Sequence, residues 1–121
     1  MKQVQNNILV IEIETPEKRL YTKKNQPTER FTQAMTQMND YLQWVRDNRQ
    51  FLRDRGWSKI SAENTKGLLV MGDLSSLTKD EKVSFNSLRL SVRTEYQIKT
   101  FDEILIENRT LLSNLQTYIK R

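Results

Sequence analysis

Two glutamates close the run Ile8-Leu9-Val10-Ile11-Glu12-Ile13-Glu14-Thr15-Pro16. Side chains alternate between the faces of a strand, so Glu12 and Glu14 point the same way, roughly 7 Å apart, while Leu9, Ile11 and Ile13 point the other way. A carboxylate beside an apolar core is costly without a compensating cation or hydrogen-bond donors, and a divalent metal tolerates two acids best. Mg²⁺ or Mn²⁺ held by such a pair would polarise a phosphate and lower the pKa of an attacking water, as a phosphodiesterase requires. The plain alternative is the solvated end of a strand, with its glutamates paired to Lys18 or Arg19.

Two other groups of residues suit the same chemistry. Gln37 and Tyr41 stand four apart in a helical pattern and share a face, with Gln33 one turn before and Trp44 about one turn after. Facing the strand end, they would orient a phosphate or a metal-bound water; otherwise they form the half-buried margin of a helix. Lys18, Arg19, Lys23 and Lys24 crowd the segment after the acidic pair, where a nucleic-acid-binding site would place phosphate contacts. Arg46, Arg49, Arg53 and Arg55 gather further along, but Asp47 and Asp54 are interspersed, the pattern of a solvated face laced with ion pairs.

The composition narrows the possibilities. Neither cysteine nor histidine occurs in the 121 residues, which excludes disulfides, thiolate chemistry and cysteine-type zinc sites and removes the usual general base. Catalysis would have to run on carboxylates, lysines, hydroxyls and a metal, and no small-molecule cofactor motif is evident. The 20 Lys and Arg against 15 Asp and Glu give a net charge of +5, which favours a polyanion such as DNA. The length suits a single domain, residues 1–121, with one modest core. No apolar run approaches a membrane span and Met1-Lys2-Gln3 lacks signal-peptide character, so a soluble, cytoplasmic protein with no membrane partner is expected.

These side chains need elements to hold them. After the first strand and a polar connection, Phe31, Ala34, Met35, Met38, Leu42, Val45 and Leu52 recur at helical spacing, predicting one long helix from about Pro27 to about Arg55, stopped by Gly56. Gly67-Leu68-Leu69-Val70-Met71-Gly72 reads as a second, buried strand and Tyr96-Gln97-Ile98-Lys99 as a third. Thr78 to Glu81 and Thr100 to Glu103 have capping-box spacing and open two more helices. Thr15 to Asn25 and Gly56 to Asn64 are expected to be the flexible stretches. The order βαβαβα predicts an α/β fold with a small, mainly parallel sheet flanked by three helices. Ligands of such sheets bind at the carboxyl ends of the strands, where Glu12 and Glu14 lie.

The strand ending in Val10-Ile11-Glu12-Ile13-Glu14-Thr15-Pro16, followed by a helix with Gln37 and Tyr41, resembles the restriction-endonuclease-like core of the PD-(D/E)XK nuclease superfamily. The order of elements from Ile8 through Gly67–Gly72 to Ile98–Leu105 is similar to the nuclease domain of the Shedu anti-phage defence proteins, over about Ile8 to Tyr118. The resemblance implies a Mg²⁺- or Mn²⁺-dependent DNA endonuclease. In it Glu12 would be a metal ligand, the Ile13 carbonyl would add a ligand, and Gln37 and Tyr41 would support catalysis. It also implies DNA as partner and assembly into a homo-oligomer.

Two departures accompany the resemblance. Glu14 stands where the family's Glu-X-Lys motif has lysine, so the carboxylate would serve as base or second ligand. The family places an aspartate on the preceding strand, yet Met1 to Asn7 contains no acid. Either upstream strands are absent, or another acid such as Glu29 substitutes, or the fold has lost catalysis and acts as a DNA-binding or oligomerisation module.

Overall fold

A run rich in β-branched residues makes Ile8–Ile13 strand β1; Thr65–Val70 forms β2 and Tyr96–Lys99 forms β3. The computed structural model, which describes residues 8–15, 17–56 and 65–119, joins them in one parallel sheet of order β1-β2-β3. Helices α1 (Glu29–Asp47), α2 (Arg49–Asp54), α3 (Lys79–Val92) and α4 (Phe101–Ile119) complete a small α/β fold, with a 3-10 turn at Leu74–Ser76. The expected alternation of strand and helix is present. No helix among the described residues is long and apolar enough to cross a membrane.

Register decides which side chains share a face. Val10 pairs with Gly67 and Gly67 with Tyr96, so Glu12 and Glu14 lie on the same face as Leu69, Met71 and Ile98. That face is the buried one. Phe31, Met38 and Leu42 of α1 and Phe85 of α3 close over it, with the Phe31 and Phe85 rings 6.3 Å apart. Leu9, Ile11 and Ile13 occupy the opposite face of β1 and stay at least half exposed. The acidic face of β1, rather than its more apolar face, therefore turns towards the core.

Gly67 sets the distance between α1 and the sheet. A Cβ there would lie 2.7 Å from Met38 Sδ and 2.8 Å from Tyr96 Cβ, so only glycine admits this approach. Thr28 caps α1 by accepting the Phe31 amide at 3.2 Å. The single helix expected from Pro27 to Arg55 is broken at Asn48, whose side chain donates to the Trp44 carbonyl at 2.8 Å and competes with helical continuation. α2 then runs to Asp54, and Gly56, with φ of 94°, takes the left-handed conformation that ends it.

The segment from Thr15 to Asn25, expected to be flexible, is anchored. Leu20 and Tyr21 are buried, Tyr21 bridges to Pro27, and the Thr28 amide donates to the Leu20 carbonyl at 2.9 Å. The second stretch expected to be flexible, after Gly56, lies outside the described residues at 57–64.

α4 starts in a polar knot. Asp102 accepts the backbone amides of Leu74 and Ser75, both at 2.9 Å, and the hydroxyl of fully buried Thr100. Glu103 accepts the Thr100 amide at 3.0 Å and pairs with Arg89 at 2.9 Å. The Thr100 hydroxyl donates to both carboxylates instead of accepting an amide, so only half of the expected capping box forms. Arg89 also donates to the Ile98 carbonyl at 3.4 Å. With Glu103 on the Thr100 amide, this ion pair covers backbone groups on the outer edge of β3.

Candidate functional site

The carboxyl end of β1 carries Glu12, Ile13 and Glu14. The Glu14 amide donates to the Val70 carbonyl at 2.9 Å, carrying the β1–β2 ladder one residue past the strand. Because the peptide is trans, the Ile13 carbonyl points the opposite way, away from β2. Glu12 is partly exposed on the core-side face, and its carboxylate makes no hydrogen bond or ion pair with any described residue.

Glu14 differs from Glu12. It is buried, 6 % exposed, and its Oε2 accepts Nη2 of Arg30 at 2.7 Å and Nε at 3.1 Å. Arg30 itself is 47 % exposed and lies in the first turn of α1. The cation of Glu14 is thus Arg30, not the Lys18 or Arg19 suggested by the sequence, and nothing in spacing alone pointed to it. An acid 16 residues before a basic residue is visible as a pair only once the loop has folded back.

The flank of α1 that reaches β1 carries the other expected residues. Arg30, Gln37, Tyr41 and Trp44 stand seven, four and three residues apart and fall on one side of the helix, beside its buried stripe of Phe31, Ala34, Met38 and Leu42. Gln37, Tyr41 and Trp44 are exposed. Arg30 fixes the first turn of this flank to the carboxyl end of β1.

Lys18, Arg19, Lys23 and Lys24 are exposed, and their side chains have no partner among the described residues. The anchored loop presents them from a fixed backbone, with the Asn25 side chain donating to Ser84 of α3 at 3.0 Å. The helix arginines behave as ordinary surface charge. Arg46 pairs with Glu95 and Arg55 stacks 4.2 Å over Phe51, while Asp47 and Asp54 accept from Gln43 and Gln50.

The family match covers most of the chain. Residues 1–105 match the family described as Shedu protein SduA, C-terminal. The chain belongs to that family. This places it among the Shedu defence proteins. No curated protein sequence matches it.

For a Shedu chain the fit of a divalent metal is decided by Glu14. Mg²⁺ needs near-octahedral oxygen ligands and is usually held by one or two carboxylates with waters. Here Glu12 and the Ile13 carbonyl are open, but the second carboxylate is neutralised by a guanidinium at hydrogen-bond distance. Glu29 does not complete the set: it is exposed and accepts from Gln33 at 3.4 Å, and no three acidic residues gather into a possible metal site among the described residues. With Arg30 in place the acidic pair does not fit a resident metal.

Proposed function

We propose that this Shedu-family chain is a DNA-binding module built on a PD-(D/E)XK-like scaffold, in which Glu14 of the acidic pair holds an arginine in place of a metal. The Glu14–Arg30 ion pair is the observation that supports this reading most directly, because it supplies internally the charge that a divalent ion would supply. DNA would be held by Lys18, Arg19, Lys23 and Lys24, whose charges have no partner among the described residues. Exposed Tyr41 and Trp44 add apolar surface along the adjoining flank of α1. The edge of β1, which pairs with no further strand among the described residues, and the exposed Leu9, Ile11 and Ile13 support self-association into a homo-oligomer.

A second reading is a Mg²⁺-dependent DNA endonuclease with Glu12 and the Ile13 carbonyl as ligands, Glu14 as second ligand or base, and Gln37 and Tyr41 in support. The open state of Glu12 favours it. Incubation of the purified protein with plasmid DNA and Mg²⁺ or Mn²⁺ separates the two. The binding-module reading expects intact DNA, whereas cleavage that disappears in Glu12→Ala establishes the endonuclease.

A further inference from the structure

Strand register puts Lys66 and Leu68 of β2 and Gln97 and Lys99 of β3 on the face of the sheet that is turned away from the core, in line with Leu9 and Ile11 of β1. On that face Leu9, Lys66, Leu68, Gln97 and Lys99, together with Arg93 from the end of α3, line a recess of about 400 Å³. A second recess, of about 550 Å³, lies between β3 and the side of α3 that carries Asn86, Arg89, Leu90 and Arg93. Arg93, Gln97 and Lys99 line both, so the two adjoin and form one bent groove around β3. The rise of α3 from Asn86 to Arg93 is about 10 Å and the step from β3 across to β1 adds about 10 Å, together the reach of roughly six extended residues.

This groove combines free cations with apolar surface. Both carboxylates that line it already hold an arginine, Glu95 that of Arg46 and Glu103 that of Arg89, and Lys99 is held by Glu107. The side chains of Lys66 and Arg93 are exposed and have no partner among the described residues. Leu9 and Leu90 are 54 % and 61 % exposed, and Leu68 is half-buried. Cations over an apolar concavity fit a ligand that brings acidic and apolar groups together. Single-stranded nucleic acid fits less well, because no exposed aromatic ring lines the groove for bases to stack on, Tyr96 being buried. We infer that the groove docks a short acidic segment of a partner protein, with its carboxylates on Lys66 and Arg93 and its apolar side chains against Leu68 and Leu90. None of the loop cations assigned to DNA lines this groove, so the inference goes beyond the DNA-binding reading and does not depend on it.

The test is a nuclear magnetic resonance titration of the isotope-labelled full chain with a six-residue peptide of alternating glutamate and leucine. The amide resonances of Lys66, Arg93 and Gln97 are expected to shift together. Arg93→Glu and Lys66→Glu should each weaken binding by about tenfold or more, while Lys23→Ala with Lys24→Ala leaves it unchanged. A peptide of alternating glutamine and leucine, or of glutamate and serine, should also bind about tenfold more weakly, because each lacks one of the two matching features. Both cations are exposed, so charge reversal should keep the fold; if a reversed variant melts early, the milder pair Lys66→Gln, Arg93→Gln should still lower the affinity. No binding of the glutamate–leucine peptide, equal binding of the glutamine–leucine peptide, or affinity unaltered by the substitutions at Lys66 and Arg93 overturns the inference. A DNA duplex that shifts the same resonances and displaces the peptide also overturns it, by assigning the groove to nucleic acid.

Discussion

Arg30 donates two hydrogen bonds, at 2.7 and 3.1 Å, to a single oxygen of Glu14, fixing the first turn of α1 to the carboxyl end of β1. The bond ties the helix that carries Gln37 and Tyr41 to the strand that carries Glu12. Removing Arg30 strands a buried carboxylate, while removing both charges does not, so the two substitutions should be strongly non-additive. Arg30→Ala is expected to destabilise by about 1–3 kcal/mol, below the range for fully buried pairs because solvent screens the half-exposed guanidinium. The Glu14→Gln, Arg30→Ala double variant should recover part of that loss in urea denaturation. A loss in the double variant equal to the sum of the losses in Glu14→Gln and Arg30→Ala would show that the pair is not coupled.

The knot at the start of α4 predicts how stability responds to acid. Burial pushes the Asp102 carboxyl up, but hydrogen bonds from the Thr100 hydroxyl and from the amides of Leu74, Ser75 and Glu103 outweigh it and bring the pKa from 3.8 to about 2. The folded value lies below the unfolded one. Its contribution is therefore complete above about pH 4 and is lost as pH falls towards 2. Glu103 is shifted downward too: burial opposes the shift, while the Thr100 amide and Arg89 drive it. Asp102→Asn should lower stability at neutral pH by about 1–2 kcal/mol and flatten the acid limb of the stability curve in that window. An unchanged acid limb would contradict this account.

Gly67→Ala tests the close approach of α1 to the sheet. The added methyl would meet Met38 and Tyr96 well inside van der Waals distance, and Tyr96 Cβ is pinned to a strand. Overpacking of this kind is expected to cost about 1–3 kcal/mol. Shortening the neighbour in the double variant Gly67→Ala, Met38→Ala should not restore full stability, because the Tyr96 contact remains. Thermal unfolding followed by circular dichroism reads both.

The loop cations predict a salt signature. Lys23→Ala with Lys24→Ala should weaken DNA binding and reduce the slope of log affinity against log salt by about two, one for each lost phosphate contact. Stability should change by no more than about 0.5 kcal/mol, since both side chains are exposed and without a described partner. An unaltered slope would remove these lysines from the interface.

Much of this fold is legible in the sequence because local signals agree with the tertiary result. β3 lies at Tyr96–Lys99, the segment expected to be the third strand, and Thr78 with Glu81 forms the full reciprocal capping box. The misreadings come from interactions between distant residues. The helical period of the segment from Pro27 to Arg55 is continuous, but Asn48 bonds back to Trp44 and breaks it. The loop after Pro16 is polar in composition, yet buried Leu20 and Tyr21 pin it down. At the site, alternation correctly put Glu12 and Glu14 on one face. That the face is turned to the core, and that Arg30 answers Glu14, depends on how α1 crosses the sheet, which periodicity alone does not specify.

Fluorescence anisotropy of a labelled DNA duplex, titrated with the wild-type chain in EDTA and again in Mg²⁺ at the same ionic strength, tests the metal-free reading most directly. Because Arg30 supplies the cation, affinities within about twofold are expected in the two buffers, both weakening steeply as salt rises. Binding that disappears in EDTA and returns with Mg²⁺ would contradict it.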